Sequence, residues 1–155
     1  IIQQPLVKSM LTTMALDIKS ARALLYRTCA MIDLTDALAA YLASGRDDAG
    51  DRSKLQEEYE RNMALIRFFT PLCKYIGTEV ATRVTRNGIQ IHGGIGYMAE
   101  SVAGHYHSDA IITTIYEGTS EIQASFALRE MSKGALFTAL DATNHYDGKV
   151  VEISR

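Results

Sequence analysis

The sequence predicts an all-α protein, and three observations lead to this prediction. Only two prolines, Pro5 and Pro71, occur in 155 residues. Apolar residues recur at steps of three or four over two long segments, which is the helical period. Glycine-containing polar stretches separate these segments from each other and from the shorter elements near the C-terminus. We therefore expect an up-and-down four-helix bundle over residues 1–140, with three long helices and one short one, and a tail over residues 141–155.

The first predicted helix covers residues 9–42, which contain neither proline nor glycine. One apolar line along it consists of Met10, Met14, Ile18, Ala21, Leu25, Cys29 and Ile32. A second line consists of Leu24, Met31 and Leu38. A helix with two apolar faces is buried on more than one side, either in a bundle or at a subunit contact. The polar stretch at residues 45–52 is expected to be a loop.

The second predicted helix covers residues 53–86. Its apolar line consists of Leu55, Tyr59, Met63, Ile66, Phe69, Cys73, Ile76, Val80 and Val84. Pro71 lies inside this helix and lacks an amide donor, so we expect a kink or a short break there. Asn87 and Gly88 form the next stop signal. Because Cys29 and Cys73 both lie on apolar lines, we expect buried thiols and no disulfide.

The remaining elements are shorter. Residues 93–96, GGIG, are expected to form a loop, and residues 100–114 a short helix containing one glycine. Ser120 is a candidate N-cap with Gln123 three residues later, which is a capping-box pattern. A last helix would continue to about Leu140.

Composition excludes several classes of protein. The chain is 47% hydrophobic and 22% charged, which is typical of a globular domain. Its net charge of −2 gives no general attraction to nucleic acid. No apolar run reaches the roughly 20 residues of a membrane helix. Because the chain begins with Ile1 and not with methionine, we expect that it starts after a processing event or is cut from a longer protein.

The stretch GIGYMA at residues 94–99 fits the dinucleotide fingerprint G-x-G-x-x-A, with Glu117 roughly 20 residues later. That fingerprint requires a strand before it and a helix after it. A long helix precedes it here, so a tight glycine turn between helices is the better interpretation.

A metal site is also conceivable at His105, His107 and Asp109. On a helix, His105 and Asp109 would share a face while His107 points away. With no third ligand evident, a polar helix surface is the better interpretation, and we expect no metal.

Glu117 is the acidic residue whose sequence neighbours most favour a catalytic role. It follows the apolar residues Ile115 and Tyr116 and precedes Gly118, which would let a ligand approach the backbone. An isolated glutamate is usually exposed ahead of a helix N-terminus. A carboxylate held beside apolar surface has a raised pKa, however, and becomes a usable general base.

Residues 89–123, IQIHGGIGYMAESVAGHYHSDAIITTIYEGTSEIQ, resemble the C-terminal signature of acyl-CoA dehydrogenases. The stretches PLVKSMLTTM at residues 5–14 and FALREM at residues 126–131 are similar to the same domain. The resemblance covers residues 1–137. It is specific because the glycine turn and the Y-E-G-T-S element lie at the spacing found in the family.

The resemblance implies a flavoenzyme with an N-terminal helical domain, a middle β-domain and a C-terminal four-helix bundle, of which this chain looks like the bundle alone. Such enzymes bind FAD and oxidise an acyl-CoA thioester to its trans-2-enoyl form. They form homodimers or homotetramers, and an electron-transfer flavoprotein usually accepts the electrons. A cytoplasmic location, or the mitochondrial matrix in a eukaryote, would follow.

Residue by residue, Glu117 matches the catalytic base that removes the α-proton. In similar enzymes the backbone N–H of that residue also donates to the thioester carbonyl. Tyr116 would line the substrate pocket, and Gly118 would keep the approach open.

The resemblance also implies contacts with FAD. Gln90, Gly93 and Gly94 match a turn that meets the FAD of a neighbouring subunit. Thr119 and Glu121 match positions that contact the cofactor in the same subunit.

Four positions depart from the family pattern. Glu121 replaces a frequent glutamine or asparagine, Ser108 and His105 replace frequent arginines, and Pro5 replaces a frequent glutamine. An alternative therefore stays open, in which the chain belongs to a catalytically inactive member whose bundle serves oligomeric assembly.

Overall fold

The computed structural model describes residues 1–45 and 52–135, and this part of the chain is helical without any strand. The helices are α1 (Pro5–Ala43), α2 (Arg52–His92), α3 (Gly94–Tyr97), α4 (Val102–Thr113) and α5 (Ser120–Glu130), followed by a π-helical turn over Met131–Ala135. The predicted all-α class is confirmed. The two long helices have 39 and 41 residues and extend further at both ends than predicted, and α3 is a short helix that the sequence analysis did not predict.

Helix α1 turns one face inward along its whole length. Thr28 and Thr35 are buried on that face, and the Thr35 hydroxyl donates to the Met31 carbonyl at 2.7 Å. The inward face includes the second apolar line, whose three residues are half-buried. On the first line Ile18, Leu25 and Cys29 are exposed, so the predicted burial of the Cys29 thiol is wrong.

Helix α2 is continuous from Arg52 to His92, so Pro71 makes no break in it and the expected stop at Gly88 is wrong. All nine residues of the predicted apolar line are buried or half-buried, as the helical period required. Packing of this line outweighs the one backbone hydrogen bond that Pro71 removes. The helix ends at Gly93, whose φ is 64°.

The described residues fall into two compact units. The first contains Ile1–Arg27 and Leu72–Ala124, and the second contains Thr28–Pro71 and the described residues from Ser125 onward. Within the first unit, Arg83 of α2 pairs with Asp17 of α1 at 2.8 Å. All candidate site residues belong to the first unit.

Three expectations lie wholly or mostly outside the described residues: the loop over residues 45–52, of which 46–51 are not described, the end of the last helix near Leu140, and the tail over 141–155. Among the helices that are described, none combines the length and apolarity needed to cross a membrane.

Candidate active site

The loop between α4 and α5 carries the acid that the sequence singles out. It is closed at its base, because the Ser120 N–H donates to the Thr114 carbonyl at 3.0 Å. On the α4 side, the Ile115 and Tyr116 N–H groups both donate to the Ile112 carbonyl, at 3.1 and 3.3 Å. The chain therefore makes a tight excursion over residues 115–119, with Glu117 at its centre.

Glu117 has a left-handed backbone conformation with φ of 55°, followed by Gly118 with φ of 93°. Glu117 is the one non-glycine residue with positive φ among those described, and such a conformation costs about 1–2 kcal/mol for an L-residue. The Gln123 side chain stabilises the turn by donating from Nε2 to the Glu117 carbonyl at 2.9 Å. A strained residue that its surroundings hold in place is typical of a functional site.

The Glu117 side chain is exposed in this chain, and its apolar neighbours are only partly covered. Ile115 is 53% exposed and Tyr116 is 50% exposed. Ile115 and Tyr116 therefore do not crowd Glu117 as the sequence suggested, and instead form an open apolar ledge that precedes it in the loop. A ligand or another protein surface placed on this ledge would bury all three side chains.

The capping of α5 differs from the prediction. Thr119, and not Ser120, is the N-cap, because its Oγ1 accepts from the Ile122 N–H at 3.5 Å. Ser120 is the first helical residue and is buried. Gln123 bonds to Glu117 instead of completing a capping box. A hydroxyl side chain does cap the helix, as predicted, but it belongs to the residue before the predicted one.

Two residues that the sequence analysis missed hold the loop from α2. Lys74 Nζ donates to the Gly118 carbonyl at 2.8 Å and lies 5.7 Å from the centre of the Tyr116 ring. Glu79 Oε1 accepts from the Ser120 hydroxyl at 2.6 Å. A signal was present in the sequence, since these are the only charged residues between Arg67 and Arg83.

Glu121 follows in the first turn of α5, where the helix dipole favours an acid. Hydrogen bonds from its own backbone N–H and from the Thr119 hydroxyl lower the pKa of its carboxyl group. Glu121 is therefore an exposed anion. It can accept hydrogen bonds from hydroxyl or amide groups, and it would repel a phosphate.

The other predicted cofactor residues lie on the turn after α2. Gln90 is exposed, and its carbonyl accepts from the Gly93 N–H at 3.2 Å. A Cβ atom on Gly93 or Gly94 would meet no heavy atom within 4 Å, so the backbone here presents an open surface. Thus the structure groups the site candidates into two sets, residues 116–121 on the loop and the first turn of α5, and residues 90–94 at the end of α2 and the turn that follows it.

The stretch GIGYMA is a short helix and not a nucleotide fingerprint. Helix α2 precedes it where the fingerprint requires a strand, so the dinucleotide interpretation is excluded. The expected plain loop is also wrong, because Gly94–Tyr97 form one helical turn. Gly96 is needed for close packing, since a Cβ there would lie 2.8 Å from both the His92 Cβ and the Ile89 carbonyl oxygen.

The histidines of α4 bind protein groups. His105 Nε2 lies 2.9 Å from the Ala99 carbonyl, which fixes the proton on Nε2, since a carbonyl only accepts. His107 Nδ1 lies 3.0 Å from the Thr85 hydroxyl. In the part of the chain that the structure describes, no three His, Cys, Asp or Glu side chains converge on a possible metal position.

The fold and the loop together define a helical domain that presents one carboxylate on a strained, braced turn. Comparison with known proteins identifies the family to which this domain belongs. The chain belongs to the acyl-CoA dehydrogenase family, since the family model "Acyl-CoA dehydrogenase, C-terminal domain" matches residues 1–132. The resemblance and the helical-bundle class inferred from the sequence are both confirmed.

Curated relatives support this membership. The chain is 36% identical to 3-methylmercaptopropionyl-CoA dehydrogenase of Ruegeria pomeroyi over 125 residues, or 81% of the chain and 18% of that protein. It is 31% identical to butyryl-CoA dehydrogenase of Syntrophomonas wolfei over 140 residues, or 88% of the chain and 20% of that protein. It is 52% identical to the mitochondrial short-chain specific acyl-CoA dehydrogenase of Rattus norvegicus over 52 residues, or 34% of the chain and 13% of that protein.

The chain thus spans a fifth or less of the length of these relatives. No solved structure matches it significantly.

Proposed function

We propose that this chain is the C-terminal domain of an FAD-dependent acyl-CoA dehydrogenase that converts an acyl-CoA thioester to the trans-2-enoyl-CoA, with Glu117 as the base that removes the α-proton. The observation that carries the proposal is the Glu117 turn: an acid in a strained conformation, braced by three side-chain hydrogen bonds to the loop. Family membership supports the reaction class, and the relatives' names support an acyl-CoA substrate.

The backbone of Glu117 supports a role for the same residue in binding the thioester. Within residues 1–45 and 52–135, no protein oxygen accepts the Glu117 N–H. A donor left open beside the acid could bond the thioester oxygen, which stabilises the negative charge that develops as the α-proton leaves. One residue would then supply both the base and the donor.

Two features of the chain fit a flavin cofactor. The open backbone at Gly93 and Gly94, with the exposed Gln90 amide beside it, could lie against the FAD of a neighbouring subunit. The Glu121 carboxylate suits a hydroxyl or amide of the cofactor and not its pyrophosphate. When bound, the flavin would accept the β-hydrogen as hydride. The chain's own contribution is to orient Glu117 and to receive the proton on its carboxylate.

The ledge formed by Ile115 and Tyr116 would become the pocket wall once substrate covers it. Burial against this wall would exclude water from the reacting carbon and strengthen the interaction between Glu117 and the α-proton. The open approach that the sequence suggested at Gly118 is not available on its Cβ side, because the Gln123 amide lies 2.9 Å from the position that a Cβ atom would take.

The rest of the reaction requires protein outside this chain. Because the chain spans a fifth or less of its relatives, we expect the isolated 155 residues to turn over no acyl-CoA. We further propose a homodimer or homotetramer, an electron-transfer flavoprotein as electron acceptor, and a cytoplasmic or mitochondrial matrix location. Detectable turnover by the isolated chain would contradict the first of these expectations.

A second candidate function is that of an inactive assembly module. The observation in its favour is the α4 stretch GHYHSDA, where His105 and Ser108 stand in place of frequent arginines. His105 there bonds the Ala99 carbonyl and so has a local structural role.

The deciding experiment uses the full-length protein that contains this chain, purified with its cofactor. Butanoyl-CoA and 3-methylmercaptopropionyl-CoA are added without oxygen, and the flavin absorbance is followed for the wild type and for Glu117→Gln. We expect the wild type to bleach with at least one thioester and the variant to bind it without bleaching. A protein that binds no flavin would favour the assembly function. Bleaching by Glu117→Gln at the wild-type rate would rule out Glu117 as the base.

A further inference from the structure

Two charged side chains of α2 contact the Glu117 loop at three of its residues. Lys74 donates to the Gly118 carbonyl at 2.8 Å, and its ammonium group lies 5.7 Å from the centre of the Tyr116 ring. Glu79 accepts from the Ser120 hydroxyl at 2.6 Å. The contacts thus fall on both sides of Glu117.

The surroundings of these two charges indicate what they do. Lys74 and Glu79 are half-buried in a helical stretch from Phe68 to Thr82 that contains no other charged residue. A half-buried charge is costly unless it is paired or hydrogen-bonded. Each charge is satisfied by the loop, and Ser120, which Glu79 binds, is itself buried.

The backbone at Glu117 needs such support. Both Glu117 and Gly118 have positive φ, a region that L-residues avoid, so the local sequence alone would not keep the turn in one conformation. Lys74 holds the peptide plane that follows Gly118, and Gln123 holds the plane that follows Glu117. The plane held by Gln123 is one of the two that meet at the Glu117 Cα atom, and the plane held by Lys74 is the next one along the chain. The two bonds therefore fix the backbone on the C-terminal side of Glu117, which limits the directions open to its side chain.

We propose that Lys74 is a positioning residue for the proposed base, with Glu79 and Ser120 as a second anchor. The proposal rests on the function proposed above for Glu117. Lys74 donates to the Gly118 carbonyl and so restrains the loop backbone next to Glu117, which in turn restrains the position of the carboxylate. Because a small displacement of a reacting group costs a large factor in rate, loss of this bond should slow proton abstraction far more than it weakens substrate binding.

The test uses the full-length flavoprotein with Lys74→Met, which keeps the apolar stem near Tyr116 and removes the donor. Two rates are measured. The first is anaerobic flavin bleaching by whichever of the two thioesters above bleaches it faster. The second is exchange of the α-hydrogens of methylthioacetyl-CoA into D2O, followed by mass spectrometry. This thioester has sulfur in place of the β-carbon, so it offers no β-hydrogen and its exchange reports proton abstraction alone.

We expect both rates to fall about 10- to 100-fold in Lys74→Met, with substrate Kd and flavin content changed by less than about twofold. Lys74→Arg should recover most of the loss, because a guanidinium also donates to a carbonyl. The matched control is Lys19→Met, an exposed lysine of α1 in the same unit, which should leave both rates unchanged.

Wild-type exchange and bleaching in Lys74→Met would overturn the proposal, while a wild-type protein that bleaches with no thioester would instead count against the proposed function. If Lys74→Met fails to fold or to retain flavin, Ser120→Ala carries the test. It removes only the second anchor, and we expect a smaller loss of about 3- to 10-fold in both rates. Unchanged rates in a folded Ser120→Ala protein would likewise overturn the proposal.

Discussion

At the scale of single residues, the function proposed for Glu117 depends on a backbone conformation that L-residues avoid. Glu117 has a positive φ because the loop must turn sharply between α4 and α5. Gly118 follows with φ of 93°, which glycine adopts without strain. The glycine therefore allows the turn, and the glutamate at its centre bears the strain.

Replacement of Gly118 by alanine should expose this strain. The added Cβ would lie 2.9 Å from Gln123 Nε2, so the amide that bonds Glu117 must move away. Together with the positive φ, we expect a loss of about 1–2 kcal/mol in the free energy of unfolding. Urea denaturation monitored by circular dichroism measures this difference.

The chain contains a matched control in Gly77. This glycine lies inside α2 with ordinary φ, and a Cβ there meets no heavy atom within 4 Å. Gly77→Ala should therefore raise the free energy of unfolding by about 0.5–1 kcal/mol, since alanine is the better helix former. Equal effects at the two positions would contradict the assignment of a special conformation to Gly118.

At the scale of elements, the N-terminus of α5 contains residues that contribute to the stability of the fold and also belong to the candidate site. Thr119 caps the helix with its hydroxyl oxygen and donates to the Glu121 carboxylate. The lowered pKa of Glu121 means that this interaction stabilises the fold above the ordinary glutamate pKa. The contribution is lost as the pH falls through the lowered value.

Thr119→Ala tests both roles of the cap. We expect the free energy of unfolding to fall by about 0.5–1 kcal/mol, at the low end for an N-cap because the bond to the Ile122 N–H is long at 3.5 Å. The pKa of Glu121 should rise only part of the way towards its ordinary value, because the hydrogen bond from its own backbone N–H, which is the larger cause of the lowering, remains. An NMR titration of the side-chain carboxyl carbon would show this rise.

Thr12→Ala serves as the control for that measurement. Thr12 is exposed on α1 and bonds only back to the Lys8 carbonyl, so its replacement should be neutral or slightly stabilising. If Thr12→Ala and Thr119→Ala destabilised the protein equally, the loss could not be attributed to the cap.

Periodicity predicted the elements well where they are long and amphipathic. All nine apolar residues of the α2 line are at least half-buried, because a helix of 41 residues repeats its pattern many times. Single-residue signals were less reliable. Pro71 did not break α2, and the α5 cap is Thr119 in place of Ser120, since packing decides between neighbouring alternatives.

The sequence indicates only those residues of the candidate site that are close together along the chain. Glu117, Gly118 and Thr119 are contiguous, so a local motif shows them. Lys74 and Glu79 lie about 40 residues earlier, and their contacts with the loop arise only once α2 is folded against it.

At the scale of the whole molecule, the described residues bury little apolar surface. Only four hydrophobic residues among them are buried, namely Leu65, Val80, Ala110 and Ala127. Large apolar side chains on α1 remain exposed, including Ile18 at 40% and Leu25 at 48%. A domain of this size usually covers more of its apolar surface, so further protein should cover these faces.

At this scale we predict that the chain associates with copies of itself. The prediction follows from the two apolar faces that the sequence indicates on the first helix. Ile18 and Leu25 are seven residues apart and so lie on the same side of α1, where a second copy could cover them. We expect residues 1–155 to sediment as a dimer or tetramer at micromolar concentration.

Leu25→Glu should shift the protein towards the monomer, because association would then bury an unpaired charge. Ser20→Glu, about 200° around the helix from Ile18, adds the same charge away from that side and should leave the assembly intact. A wild-type chain that sediments as a monomer would show that other parts of the full-length protein, and not a second copy, cover this face of α1.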